Sequence, residues 1–184
     1  MSSSEAVRQL QMVWPPSRLR SPPAIVVPSG YALRTFQPGD EARFFEVMRL
    51  SGWSDWNEKR LGPLLPRIVS EGWFLAVRAE TDDIVATAMA LRDSTDLHPS
   101  GGELGWVGSD PAHRGLGLGG AVGAAVTTRL IEAGFEDIHL YTEDFRLPAL
   151  KTYLKLGYVP FLYAPDMANR WETINALLPW SGAR

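Results

Sequence analysis

The residues of this chain best suited to chemistry lie in the run HRGLGLGG, residues 113–120, which sits between an apolar segment and a helix-like one. Gly115, Gly117, Gly119 and Gly120 carry no side chains there, so the backbone can approach a ligand closely. The free N–H groups and positive dipole end of the helix that follows would then face an anion. Arg114 adds a cation, and Leu116 and Leu118 flank the glycines. Read as G-x-G-x-x-G, the residues Gly115, Gly117 and Gly120 also fit a dinucleotide fingerprint. With 17 glycines in 184 residues, that pattern arises by chance about 0.14 times per chain. A dinucleotide fingerprint follows its strand almost directly in an opening βαβ unit. Here residues 110–114 intervene and the run falls past the chain's midpoint. A phosphate cradle is therefore the favoured reading, and a glycine-rich structural turn stands beside it. A second candidate constellation is Trp53 and Trp56 with Asp55 between them, able to line a pocket for a cationic amine or simply to pack a loop.

These groups need elements to position them. YALRTF, from Tyr31, alternates as a strand, and Asp40 is placed to cap a helix running to about Leu50. LGPLLPRIVS has helical spacing interrupted by Pro63 and Pro66, which predicts a short or kinked helix. Strands are expected over Trp73 to Arg78 and Ile84 to Leu91, joined by ETDD, and a fourth in ELGWVGS. The glycine run then opens a helix with Leu118, Val122, Ala125, Val126 and Leu130 on one face, which Gly134 ends. Strand Ile138 to Thr142, a helix from about Leu147 to Leu156, strand Tyr158 to Leu162 and a last amphipathic helix from Asp166 to Pro179 complete the order. Asp144 and Glu143 follow the fifth strand, where ligands gather in such sheets. The alternation predicts an α/β fold, with a mixed central sheet of six to seven strands flanked by helices on both faces. Residues 1–30, with five prolines, read as an extended arm docked through Val13-Trp14 and Ile25-Val26-Val27, and residues 31–184 as a single domain.

A net charge of −3 and a pI near 5.6 supply no overall positive field for nucleic acid, so an anionic ligand must be held locally. The absence of cysteine removes disulfides, Cys-based metal sites and a Cys-bound acyl intermediate. No apolar run approaches the roughly 18 residues of a membrane span, and a cytoplasmic location is expected.

The stretch ELGWVGSDPAHRGLGLGGA resembles the central motif of the GNAT (GCN5-related) N-acetyltransferases, Arg/Gln-x-x-Gly-x-Gly/Ala after a strand and a proline. Arg114, Gly117 and Gly119 take its three places. Forty residues on, ALKTYLKLGY is similar to the family's second block through Ala149, Tyr153, Gly157 and Tyr158. Arg146 stands where members often carry Asn.

The resemblance implies that acetyl-CoA is the acyl donor, with its pyrophosphate on the loop and its pantetheine arm against the backbone around Val107, Gly108 and Ser109. It implies Glu103 as the base that deprotonates an amine and Tyr153 as the acid that protonates the CoA sulfur. Trp53, Trp56 and Asp144 are the candidate acceptor-binding residues. No metal is expected, and the expected partners are a small-molecule or peptide amine, with a second copy in a homodimer as an open alternative. A CoA-binding regulatory module without turnover and, further off, a nucleotide-dependent oxidoreductase are the competing classes.

Overall fold

A computed structural model describes residues 8–178. Its seven strands are β1 (Leu10–Val13), β2 (Tyr31–Thr35), β3 (Ile68–Arg78), β4 (Ile84–Arg92), β5 (Gly102–Ser109), β6 (Ile138–Thr142) and β7 (Val159–Pro160). They form one sheet in the order β2-β3-β4-β5-β6-β1-β7. Only β5 and β6 pair in parallel, and the other neighbours are antiparallel. The helices are α1 (Glu41–Leu50), α2 (Glu58–Leu61), α3 (Leu118–Glu132), α4 (Leu147–Leu156) and α5 (Met167–Leu177).

Successive side chains of a strand point to opposite faces, and β3 and β4 use both. Trp73, Leu75, Val77, Met89 and Leu91 pack with Phe44, Val47 and Met48 of α1 and with Trp56 and Leu61. Ala76, Ala86, Ala88 and Ala90 face the other way, onto Val122, Val126 and Leu130 of α3 and the core that includes Leu150 and Trp171. Small residues under α3 let the helix lie close to the sheet. Both faces are thus covered by helices, which gives the apolar density of these strands its reason.

Three expectations need correction. The arm is not outside the sheet: Leu10–Val13 forms β1, antiparallel to β6 and β7, with Leu10 and Met12 fully buried. Four residues are too short a run for alternation to signal. Trp14 is buried as expected, but Ile25, Val26 and Val27 are exposed. The kinked helix of residues 61–70 is only α2, a 3-10 turn at Leu65–Arg67 and the first residues of β3, because Pro63 and Pro66 remove the donors that would continue it. Asp40 holds the N-cap position of α1, its carbonyl accepting from the Phe44 N–H at 2.9 Å, but its side chain makes no cap hydrogen bond. Its carboxylate instead accepts from the Arg34 guanidinium at 2.7 and 3.0 Å and from the Gln37 N–H. Pro179 lies outside the described residues. Among these, no helix is long and apolar enough to cross a membrane.

Candidate active site

Two features of β5 open the sheet. Its register with β6 runs only through Gly102↔Ile138 and Glu103↔His139, so the strands part beyond Glu103. On the β4 side Thr87 pairs Gly108 and Met89 pairs Gly105, leaving one extra residue in β5 between them. Trp106, inside this bulge, holds φ of +54°, a backbone state seldom occupied by bulky residues and met most often at functional sites. Bulge and splay together leave the Val107–Ser109 stretch lining a cavity of about 1090 Å³.

The glycine loop lines the same cavity. Gly117, with φ of +85°, is the N-cap of α3, and no side chain caps that helix. Its first N–H groups thus have no partner within the helix. Arg114, Gly115, Leu116, Gly117, Leu118, Gly119 and Gly120 all line the cavity, as do Val107, Gly108 and Ser109. The structure brings every expected cofactor residue to one place. Lys151 and Lys155, one turn apart on α4, join them, so the lining holds Arg114, Arg146, Lys151 and Lys155 and no carboxylate. In a chain of net charge −3, this is the local positive field an anionic ligand requires. Size, uncapped helix start and cations fit a CoA thioester. In the sequence, the lysines are marked only by their i, i+4 spacing on either side of Tyr153.

A second chamber, about 150 Å³, lies in the splay and is lined by Glu103, Trp53, Trp106, Tyr141 and Glu143. Val107, Arg146, Ala149 and Tyr153 line both spaces. Tyr153 is 6% exposed, and among the described residues no protein group hydrogen-bonds its hydroxyl. Burial pushes that hydroxyl above the usual phenol range, so it carries its proton at neutral pH.

Glu103 is the last β5 residue paired to β6 before the splay. Gly105 makes room for its carboxylate, since a Cβ there would come 3.1 Å from Glu103 Oε1. Arg67 Nη2 lies 3.4 Å from Glu103 Oε2 and also donates to Asp93. Asp93 in turn accepts from Tyr141 at 3.0 Å and lies 3.0 Å from His139 Nε2. Burial, with the Asp93 charge adding and Arg67 opposing, raises the Glu103 carboxyl from 4.5 to about 7.

A carboxyl whose folded pKa lies above its unfolded one keeps its proton in the native state where the unfolded chain has released it. Stability is therefore withdrawn as pH rises from about 4.5 to 7. Glu103→Gln does not titrate, so its melting temperature relative to the native protein should climb across that window and level off above it. A difference independent of pH would show that the carboxyl is not raised.

The other expected acceptor residues separate. Trp53 lines the small chamber with the Arg146 guanidinium 4.3 Å from its ring centre. Trp56 lines neither cavity and is buried against Phe44 and Trp106. Asp144 is taken by Arg170, which holds its carboxyl below the usual range, and it too lines neither cavity. Glu143 lines the chamber instead and accepts from Gln9 and Arg146. Nearby, His98, Asp137 and His139 bring ligand-type atoms within 4.8 Å of one another. The two imidazoles are stacked at 3.9 Å and 7°, so their in-plane lone pairs do not converge on a common ion, and both His98 nitrogens already meet Asp137 and Gln11.

Residues 39–158 match the model of the Acetyltransferase (GNAT) family. The mycothiol acetyltransferase of Nocardia farcinica is 35% identical over 149 residues, covering 75% of this chain and 48% of that relative. That of Sanguibacter keddieii is 36% identical over 157 residues, covering 81% and 50%. The chain thus spans about half the length of these curated relatives. The crystal structure of a GCN5-related N-acetyltransferase from Sphaerobacter thermophilus superposes with a TM-score of 0.61 at 25% identity, over 84% of this chain and 50% of that one.

Proposed function

The chain belongs to the GNAT acetyltransferase family, and from that premise we propose that it moves an acetyl group from acetyl-CoA directly to the amine of a small-molecule acceptor. The observation that carries this reading is the meeting of two chambers of opposite character at Tyr153. The larger is cationic and free of carboxylates, suited to a phosphorylated donor. The smaller presents Glu103 and Glu143, suited to an ammonium group.

Acetyl-CoA supplies the activated acyl group. The N–H groups at the start of α3, with Lys151, Lys155 and Arg114, bind its phosphates, and the bulged β5 backbone orients its arm. In the small chamber Glu103 removes a proton from the ammonium, since only the neutral amine can attack a thioester. The amine nitrogen then bonds to the acyl carbon; Tyr153, held protonated by burial, gives its proton to the sulfur as the carbon–sulfur bond breaks and is reprotonated as the acylated nitrogen sheds its remaining extra proton. With no cysteine in the chain, transfer proceeds within a complex of enzyme, donor and acceptor.

Three measurements test this. A screen of amines with acetyl-CoA, following free-thiol release, should find an acceptor; mycothiol-related amines come first because the relatives above carry that name. CoA binding with no thiol released by any amine would instead favour a regulatory module. Once an acceptor is found, initial rates with both substrates varied should give intersecting lines. Tyr153→Phe should lower kcat about 10²-fold, the modest end for an acid because a thiolate leaves fairly well unaided, with little change in CoA affinity. Parallel lines, or a full-speed Tyr153→Phe enzyme, would remove the direct-transfer mechanism.

A further inference from the structure

The segment joining β1 to β2 crosses the molecule. β1 lies between β6 and β7, whereas β2 is the opposite edge of the sheet, so residues 14–30 must span the strands between. Both ends of this crossing are fastened. At its start Trp14 is buried with its ring 5.3 Å from that of Tyr158, Arg18 lies over Trp14, and Leu19 packs on the core. At its end the Tyr31 hydroxyl is 2.7 Å from Nδ1 of His113, with the two rings edge to face. His113 directly precedes Arg114 and itself lines the large cavity.

Between these anchors, Ala24, Val26 and Pro28 line the same cavity as the glycine loop. The alternation is informative. Pro22, Pro23 and Pro28 keep the segment out of helical conformation, and every second residue of it, 24, 26 and 28, lines the cavity. Val26 is nevertheless 72% exposed. With Ile25 and Val27 also exposed, the whole segment presents apolar surface in solvent, and Val26 presents it at the wall of the cationic cavity. Residues 24–28 also precede the part matched to the family model, residues 39–158, so this wall is supplied by the chain's own arm.

We infer that Ala24, Val26 and Pro28 form an apolar strap, fastened through Tyr31 and His113, against which the uncharged length of the acyl-CoA donor is held. The inference rests on the donor-binding role proposed above. The strap side chains have no hydrogen-bonding groups, so the surfaces they suit are the methyl-bearing pantoyl segment and the face of the adenine ring, while the phosphates go to the loop and the lysines. Val26 gives up its exposed surface when the donor binds, which is the source of the affinity.

Calorimetry of CoA binding to the full chain tests this with two variants of opposite charge, Val26→Asp and Val26→Lys. Because Val26 is exposed in the free protein, neither should change the melting temperature. Each should weaken CoA binding about three- to tenfold. Loss for CoA alone places the strap on the pantoyl segment, and equal loss for adenosine 3′,5′-bisphosphate places it on the nucleotide; either supports the inference. Tighter binding by Val26→Lys with weaker binding by Val26→Asp would mean that only charge near the phosphates is felt, and would overturn it. Unchanged affinity in both variants would overturn the strap alone, whereas no CoA binding by the native chain would overturn the donor reading as well.

Discussion

Glu103→Gln is expected to lower kcat/KM for the amine by about 10²–10⁴-fold near neutral pH and to change the shape of the pH profile. In the native enzyme a carboxyl raised to about 7 must be ionised to accept the ammonium proton. Activity should therefore fall as pH drops through about 7 and form a plateau above it, up to the pKa of the amine. The variant has no base and depends on the small fraction of acceptor already neutral. Its rate should keep rising through the neutral range with no plateau, and the two profiles should converge near the amine pKa. A carboxyl at its ordinary 4.5 would be a much weaker base at pH 7. On the proposed role of Glu103, the buried start of the splay with Asp93 adjacent would serve the chemistry while costing stability. A Glu103→Gln enzyme with the native profile would assign the proton to another group, Glu143 being the remaining carboxylate of the chamber.

Gly117→Asp is expected to weaken CoA binding by about 10²-fold or more while leaving the fold intact. A Cβ at position 117 meets no atom within 4 Å, so packing does not oppose the change. The φ of +85° is a conformation Asp tolerates better than most residues. The damage is electrostatic and local: the new carboxylate competes for the N–H groups at the start of α3 and repels the pyrophosphate meant for them. Calorimetry on a variant with native melting behaviour separates this from unfolding. Unchanged CoA affinity would remove the loop from the donor site. Gly117→Ala serves as control, since it brings the backbone strain of a side chain at positive φ without the charge and should cost much less affinity.

Arg146 marks where this chain departs from the usual family pattern. It precedes α4 without capping it, pairs with Glu143, covers the Trp53 ring and lines both chambers. A cation there balances Glu143, leaving Glu103 as the less compensated carboxylate of the small chamber.

What could be read from residues alone was whatever depends on neighbours in the chain. Four glycines after a strand and a proline specify an uncapped helix start because backbone conformation is local. The i, i+4 spacing of α3 and α4 places Tyr153 on an inward face because helical period is local. The helices Leu118–Glu132 and Leu147–Leu156 accordingly begin and end close to where the sequence put them. The tertiary structure alone decided features that depend on segments distant in sequence. Leu10–Val13 becomes a strand only because β6 and β7 offer it unpaired edges. Of two tryptophans three residues apart, both against Trp106, Trp53 reaches the chamber and Trp56 the core, where Phe44 of α1 packs on it. Asp144 is lost to Arg170, 26 residues later. The raised pKa of Glu103 needs burial together with Asp93 and Arg67, groups brought beside it by β4 and the turn before β3. Charge and desolvation act through space, so the protonation state of Glu103 is set by packing between elements that have no local signal of their meeting.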